Sequence, residues 1–161
     1  MNNAPSSDVV ATVSASMGRR ILGIGCLAVL GMMQLYLAVA TSPALGWKLF
    51  LFVLGAGALF VADMMRRSTS MTLELTEHEL REAGGDTIVL LDEITSIDRG
   101  AFAFKPSNGF LLRLRSGTAR HWRPGLWWGL GRRIGVGGMT PANQTKNMAE
   151  IIAIIIAKRG D

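Results

Sequence analysis

Between Arg120 and Arg133 the chain places four arginines, Arg120, Arg123, Arg132 and Arg133, among three of its four tryptophans, Trp122, Trp127 and Trp128. Indole rings offer broad apolar faces with one N–H donor, and guanidinium groups offer a planar fork of donors matched to phosphate or carboxylate oxygens. Interleaved, they do the chemistry of adhesion rather than of bond-making, since both types are favoured at protein interface hot spots and tryptophan also at membrane surfaces. Pro124-Gly125 and the glycines Gly129 and Gly131 interrupt the stretch, which predicts a loop. The candidate binding surface is therefore Arg120, Trp122, Arg123, Trp127, Trp128, Arg132 and Arg133, facing lipid headgroups or a partner. The competing reading is that one or two of these tryptophans fill the core beneath the loop.

Residue types that carry catalysis do not assemble elsewhere. Gly129 and Gly131 would need a third glycine where Ile134 stands to form a dinucleotide fingerprint, and no Gly-Lys-Ser/Thr of a phosphate loop occurs. His78 and His121 have no companion histidine or cysteine at ligand spacing. Asp92-Glu93 reads as a turn cap rather than an acid–base pair. The sequence thus offers no catalytic residue, no metal set and no cofactor site, and the chain is read as non-enzymatic.

Charge is lopsided. The formal net charge is +5, and Arg99, Lys105, Arg113, Arg115, Arg120, Arg123, Arg132 and Arg133 follow one another with no carboxylate between Asp98 and Glu150. Such a run suits phosphates of anionic lipid or nucleic acid, or a partner's acidic surface, and the alternative is a solvated basic face. Arginines beside aromatics also suit base stacking, but acids in the first predicted strands make nucleic acid the weaker fit.

What positions this stretch is a membrane anchor. Two apolar runs, 21–41 and 44–64, each have about the ~20 residues needed to cross a bilayer. Ala38-Val39-Ala40 resembles a cleavage site, yet the first run is longer than a signal peptide's core and a second follows at once. Arg19-Arg20 precede the pair, Arg66-Arg67 follow it, and the connection Ser42-Pro43-Ala44-Leu45-Gly46 is uncharged, so both termini are expected in the cytoplasm. Tyr36 and Trp47 are placed as interface aromatics near the turn. Gln34 is expected to form an interhelical hydrogen bond, and Gly55, Gly57, Ala58 and Ala62 give the second helix a small-residue surface for the first helix or for a partner helix, a second copy included. Asp63 reads as an interface ion pair with Arg66 and Arg67. The lone cysteine, Cys26, lies within the first run, so no internal disulfide is possible.

The chain then divides into a disordered tail over 1–18, the helical hairpin over 19–67, and a strand-rich domain over 71–159. Strands are predicted at Met71–Thr76, Glu79–Ala83, Thr87–Leu91 and Ile94–Phe104, the last with Ile97, Phe102 and Phe104 as apolar positions. Pro106-Ser107-Asn108-Gly109 turns the chain into Phe110–Arg115, and Ser116-Gly117 reads as a two-residue hairpin leading to Thr118–Arg123. A short strand is predicted around Arg133–Gly137. Thr140-Pro141 then reads as an N-cap with an N1 proline opening a helix over 141–159, with Met148, Ile151, Ile152 and Ile155 on one face and Ile154 and Ile156 adding enough apolar surface to plug an open barrel end.

A membrane hairpin followed by six or seven antiparallel strands and one helix resembles the bacterial pleckstrin-homology-like membrane proteins. The phrases Leu73-Glu74-Leu75-Thr76-Glu77-His78-Glu79-Leu80 and Leu90-Leu91-Asp92-Glu93-Ile94-Thr95-Ser96-Ile97 carry the likeness, over residues 71 to 158. The resemblance implies an α+β membrane protein of the bacterial inner membrane whose domain is an antiparallel barrel or sandwich. Some purple-bacterial photosynthetic assembly proteins look similar, which implies an accessory or assembly role beside an integral membrane complex, with anionic-lipid sensing as the alternative.

Overall fold

The computed structural model describes residues 9–100 and 106–159. Two long apolar helices, α1 (Met17–Ala40) and α2 (Leu45–Ser68), form an antiparallel pair. Each has 24 residues, about 36 Å of helix, and is long and apolar enough to cross a bilayer. Each runs about a turn beyond the predicted apolar span at its arginine end. The hydroxyls of Ser68 and Thr69 donate to the Met64 and Met65 carbonyls there, and Asp63 accepts from Arg66 at 2.8 Å and Arg67 at 2.7 Å, at the spacing that supports a last helical turn.

The helices meet at Gly31 and Gly55. A Cβ on either would lie 2.9 Å from the other's carbonyl oxygen, so the crossing is closed to any larger residue. Ala38 and Ala62 are also buried.

The tail expected over 1–18 is not all disordered. Its first eight residues lie outside the described ones, but β1 (Ala11–Ser14) pairs antiparallel with β2 (Thr72–Leu75), the strand that leaves α2. The alternation Ala11, Val13 inward and Thr12 outward is short, and only the neighbouring strand gives it a buried face. Two further contacts fix it, from Ser14 N to Gln144 Oε1 at 3.0 Å and from Ser16 N to the Met139 carbonyl at 2.8 Å. Both ends of the helical pair are thereby built into one domain.

The first sheet continues as a meander, β1-β2-β3-β4, with β3 at Glu79–Glu82 and β4 at Thr87–Leu90. A 3-10 turn at Leu91–Glu93 leads to β5 (Ile94–Asp98), which opens a second antiparallel sheet, β5-β6-β7. The strand predicted to run to Phe104 stops at Asp98, where Gly100 N turns back to the Asp98 Oδ1, and the rest of the predicted continuation, with Phe102 and Phe104, lies outside the described residues. No ladder joins the two sheets among the described residues and no barrel closes, though both contribute to one core.

The Ser116-Gly117 hairpin does not form. β6 runs unbroken from Phe110 to Arg123, and the chain reverses at Arg123-Pro124-Gly125-Leu126, where Leu126 N bonds the Arg123 carbonyl and Gly125 takes φ 83°. Proline followed by a positive-φ glycine is the type II pattern, and it outcompetes Ser-Gly. The return strand β7 covers Trp127–Val136, so the predicted loop is half of a β-ribbon.

Helix α3 (Ala142–Ala157) closes the core, with Thr145, Met148, Ala149 and Ile152 buried at helical spacing. Pro141 occupies the cap position with no side-chain cap, while the Thr140 hydroxyl is buried without a partner and does not cap the helix. Ile151, Ile155 and Ile156 pack at the core's margin and Ile154 is exposed. Val13, Leu73, Leu80, Phe110, Leu112, Ile134 and Val136 complete the core from both sheets.

Candidate functional site: the arginine and tryptophan ribbon

The β6–β7 ribbon is curled. Five residue steps of β6, from Arg113 to Thr118, lie opposite two of β7, from Arg133 to Gly131, and a further surplus residue lies between Thr118 and His121. Such bulges bend and twist a strand. The bend brings the ribbon's tip back to its base, where Gly137 N donates to the Leu126 carbonyl at 2.8 Å and the Trp128 indole lies over Gly135, leaving no room there for a Cβ.

Register decides which aromatic faces where. Arg123 lies opposite Trp127, and Trp122 opposite Trp128, so the two pairs project to opposite faces. Trp127 faces inward and is only 6% exposed, and its Nε1 donates to Glu82 Oε1 at 2.9 Å. Arg123 meets the same carboxylate, Nε to Oε1 at 3.1 Å and Nη2 to Oε2 at 3.3 Å, while the His121 ring stacks on Trp127 with centroids 5.7 Å apart. These two members of the expected surface are therefore structural. Trp127 belongs to the core, and Arg123 is committed to Glu82.

The other five remain available. Trp122 and Leu130 are 57% and 58% exposed, Trp128 is half-buried over Gly135, and Arg120, Arg132 and Arg133 are exposed with no ion pair among the described residues. Arg120, His121, Trp122, Trp128, Leu130 and Arg133 line an open groove of about 810 Å³. Arg115 is also exposed and has no ion pair among the described residues, and Arg113 reaches Asp98 at 3.8 Å.

The ribbon's turn abuts the arginine ends of the helical pair. A Cβ on Gly125 would touch the Thr69 methyl at 3.0 Å, and Met139, which donates its N–H to the Gly125 carbonyl, packs its side chain on Gly23. Arg19 Nη1 donates to the Thr140 carbonyl at 3.1 Å, and Arg20 Nη2 to the Arg66 carbonyl at 3.3 Å.

The predicted helix-packing residues also separate. Gly55 and Ala62 lie in the α1–α2 contact, whereas Gly57 faces open space and lines, with Gln34, Ala58, Phe50 and Val61, an open groove of about 500 Å³ along the pair. Gln34 does not bridge the helices, for its Oε1 is shielded and accepts no hydrogen bond.

Glu82 is the functional-site residue that the sequence reading passed over. The signal was present, since in Glu79-Leu80-Arg81-Glu82 it shares the face of Leu80, and a carboxylate on an apolar face needs partners. Among the described residues no cluster of histidine, cysteine and carboxylates could hold a metal ion. No protein-family model matches the chain, and no curated protein or solved structure matches it either.

Proposed function

We propose that this chain is a non-enzymatic, membrane-anchored binding module of the bacterial inner membrane, an accessory or assembly factor for an integral membrane complex, with both termini in the cytoplasm. Its domain is of the pleckstrin-homology-like kind that its sequence resembles, and it docks through the outward half of the β6–β7 ribbon. The observation that carries this reading is the placement of that ribbon. Its exposed Trp122 and Leu130, flanked by arginines with no ion pair among the described residues, lie beside a turn packed on Thr69, the residue that closes the second apolar helix. Aromatic and arginine side chains are the usual anchors of a protein interface. The arginines at the helix ends orient the pair by the excess of positive charge on the cytoplasmic side.

The test is a mild-detergent pull-down of the full chain against a variant carrying Trp122→Ala and Leu130→Ala. A stoichiometric membrane protein that travels with the first and is lost from the second, with the variant still folded, supports docking. Equal capture by both refutes the ribbon as the docking surface.

A further inference from the structure

The arginines of the second sheet are crowded. Arg113 and Arg133 stand directly opposite each other in register on β6 and β7, an arrangement in which like charges repel. Asp98, 3.8 Å from Arg113, offsets part of this, and Arg133 has no carboxylate partner among the described residues. Arg133 and Arg120 also line the open groove whose apolar wall is Trp122, Trp128 and Leu130. An anion in the groove beside Arg133 would offset part of that repulsion, and an apolar chain next to it would cover surface that is now exposed. One molecule carrying both parts is a phospholipid with net negative charge.

The groove lies close to the end of the second apolar helix. Trp122 and Trp128 are each three residues from Gly125, so at ~3.3 Å per residue they lie within about 10 Å of it along the strand. Gly125 itself packs on Thr69 at the end of the second apolar helix. The groove therefore lies at the arginine ends of the two apolar helices rather than at their Ser42-Pro43 turn.

We propose that this groove is a binding site for an anionic phospholipid, with the phosphate held between Arg120 and Arg133 and the glycerol and upper acyl region lying on Trp122 and Leu130. The proposal rests on the ribbon's being the membrane-side docking surface and adds a lipid as its occupant.

The full-length chain, extracted in mild detergent and offered equal phosphatidylglycerol and phosphatidylcholine, would be weighed by native mass spectrometry to count the lipid retained. The wild type should retain phosphatidylglycerol in preference. Arg120→Gln with Arg133→Gln should reduce that preference about thirtyfold, the combined effect of two surface arginines. Arg66→Gln with Arg67→Gln, which removes equal charge at the helix ends, should leave it. Trp122→Ala, at an exposed position that keeps every arginine, should weaken retention of both lipids. Equal retention of the two lipids by the wild type, or an undiminished preference in the Arg120/Arg133 variant, overturns the proposal. A protein partner captured through the ribbon with no lipid preference would overturn the lipid site and leave docking intact, whereas lipid preference with no partner would do the reverse.

Discussion

Trp127 Nε1 donates a 2.9 Å hydrogen bond to the carboxylate of Glu82, and this contact joins the two sheets. Glu82 ends β3 in the first sheet, and Trp127 opens β7 in the second. Arg123, opposite Trp127 in register, supplies the charge that a carboxylate 8% exposed requires. The ribbon is held in its curled form by a buried polar contact, and its outward face is free because its inward face is so occupied.

Removing either partner should loosen the ribbon. Glu82→Ala leaves Arg123 half-buried and unpaired and should cost about 2 to 3 kcal/mol, and Trp127→Phe, which keeps the ring and loses the donor, about 1 to 2 kcal/mol. Denaturant unfolding of the detergent-solubilised chain checks both. If Glu82→Ala is neutral, the carboxylate does not hold the ribbon.

The N-terminal strand should matter to the domain as much as any other. Val13 is fully buried opposite Leu73, so Val13→Ala should lower stability by about 2 kcal/mol and Val13→Asp by more. Amide hydrogen exchange offers a second readout, with Val13 protected to the same degree as Leu73. Exchange of Val13 at the rate of free chain would mean that β1 does not pair.

Two glycines of the second helix should respond in opposite ways. Gly55→Ala sets a methyl 2.9 Å from the Gly31 carbonyl oxygen and should destabilise the helical pair by about 1 to 3 kcal/mol, whereas Gly57→Ala meets open space and should be neutral or gain slightly from helix propensity. Thermal unfolding of the two variants in the same detergent ranks them, and equal midpoints would place the crossing elsewhere.

Surface and core tryptophans should part company too. Trp122→Ala should leave the unfolding free energy within about 0.5 kcal/mol of the parent, as exposed substitutions do, while Trp127→Ala should cost about 3 to 5 kcal/mol. A large loss of stability from Trp122→Ala would assign that ring to the core.

The sequence by itself determined what depends on neighbours along the chain. The helical pair, the meander from Leu73 to Leu90 and the stripe of Met148 and Ile152 on the last helix were all legible, because hydrophobic periodicity and turn residues are local signals. So was the seam of arginine and tryptophan as a surface of interest.

Tertiary structure decided the rest. Ala11–Ser14 has too little apolar alternation to declare itself and becomes a strand only because β2 offers it a ladder and a buried face. Ser116-Gly117 is a good local turn that loses to Pro124-Gly125, since the reversal there sets Trp127 beside Glu82, a residue 45 positions away. Which tryptophan is core and which is surface follows from strand register, and register is fixed by partners distant in sequence: a one-residue slip would have exposed Trp127 and buried Trp122.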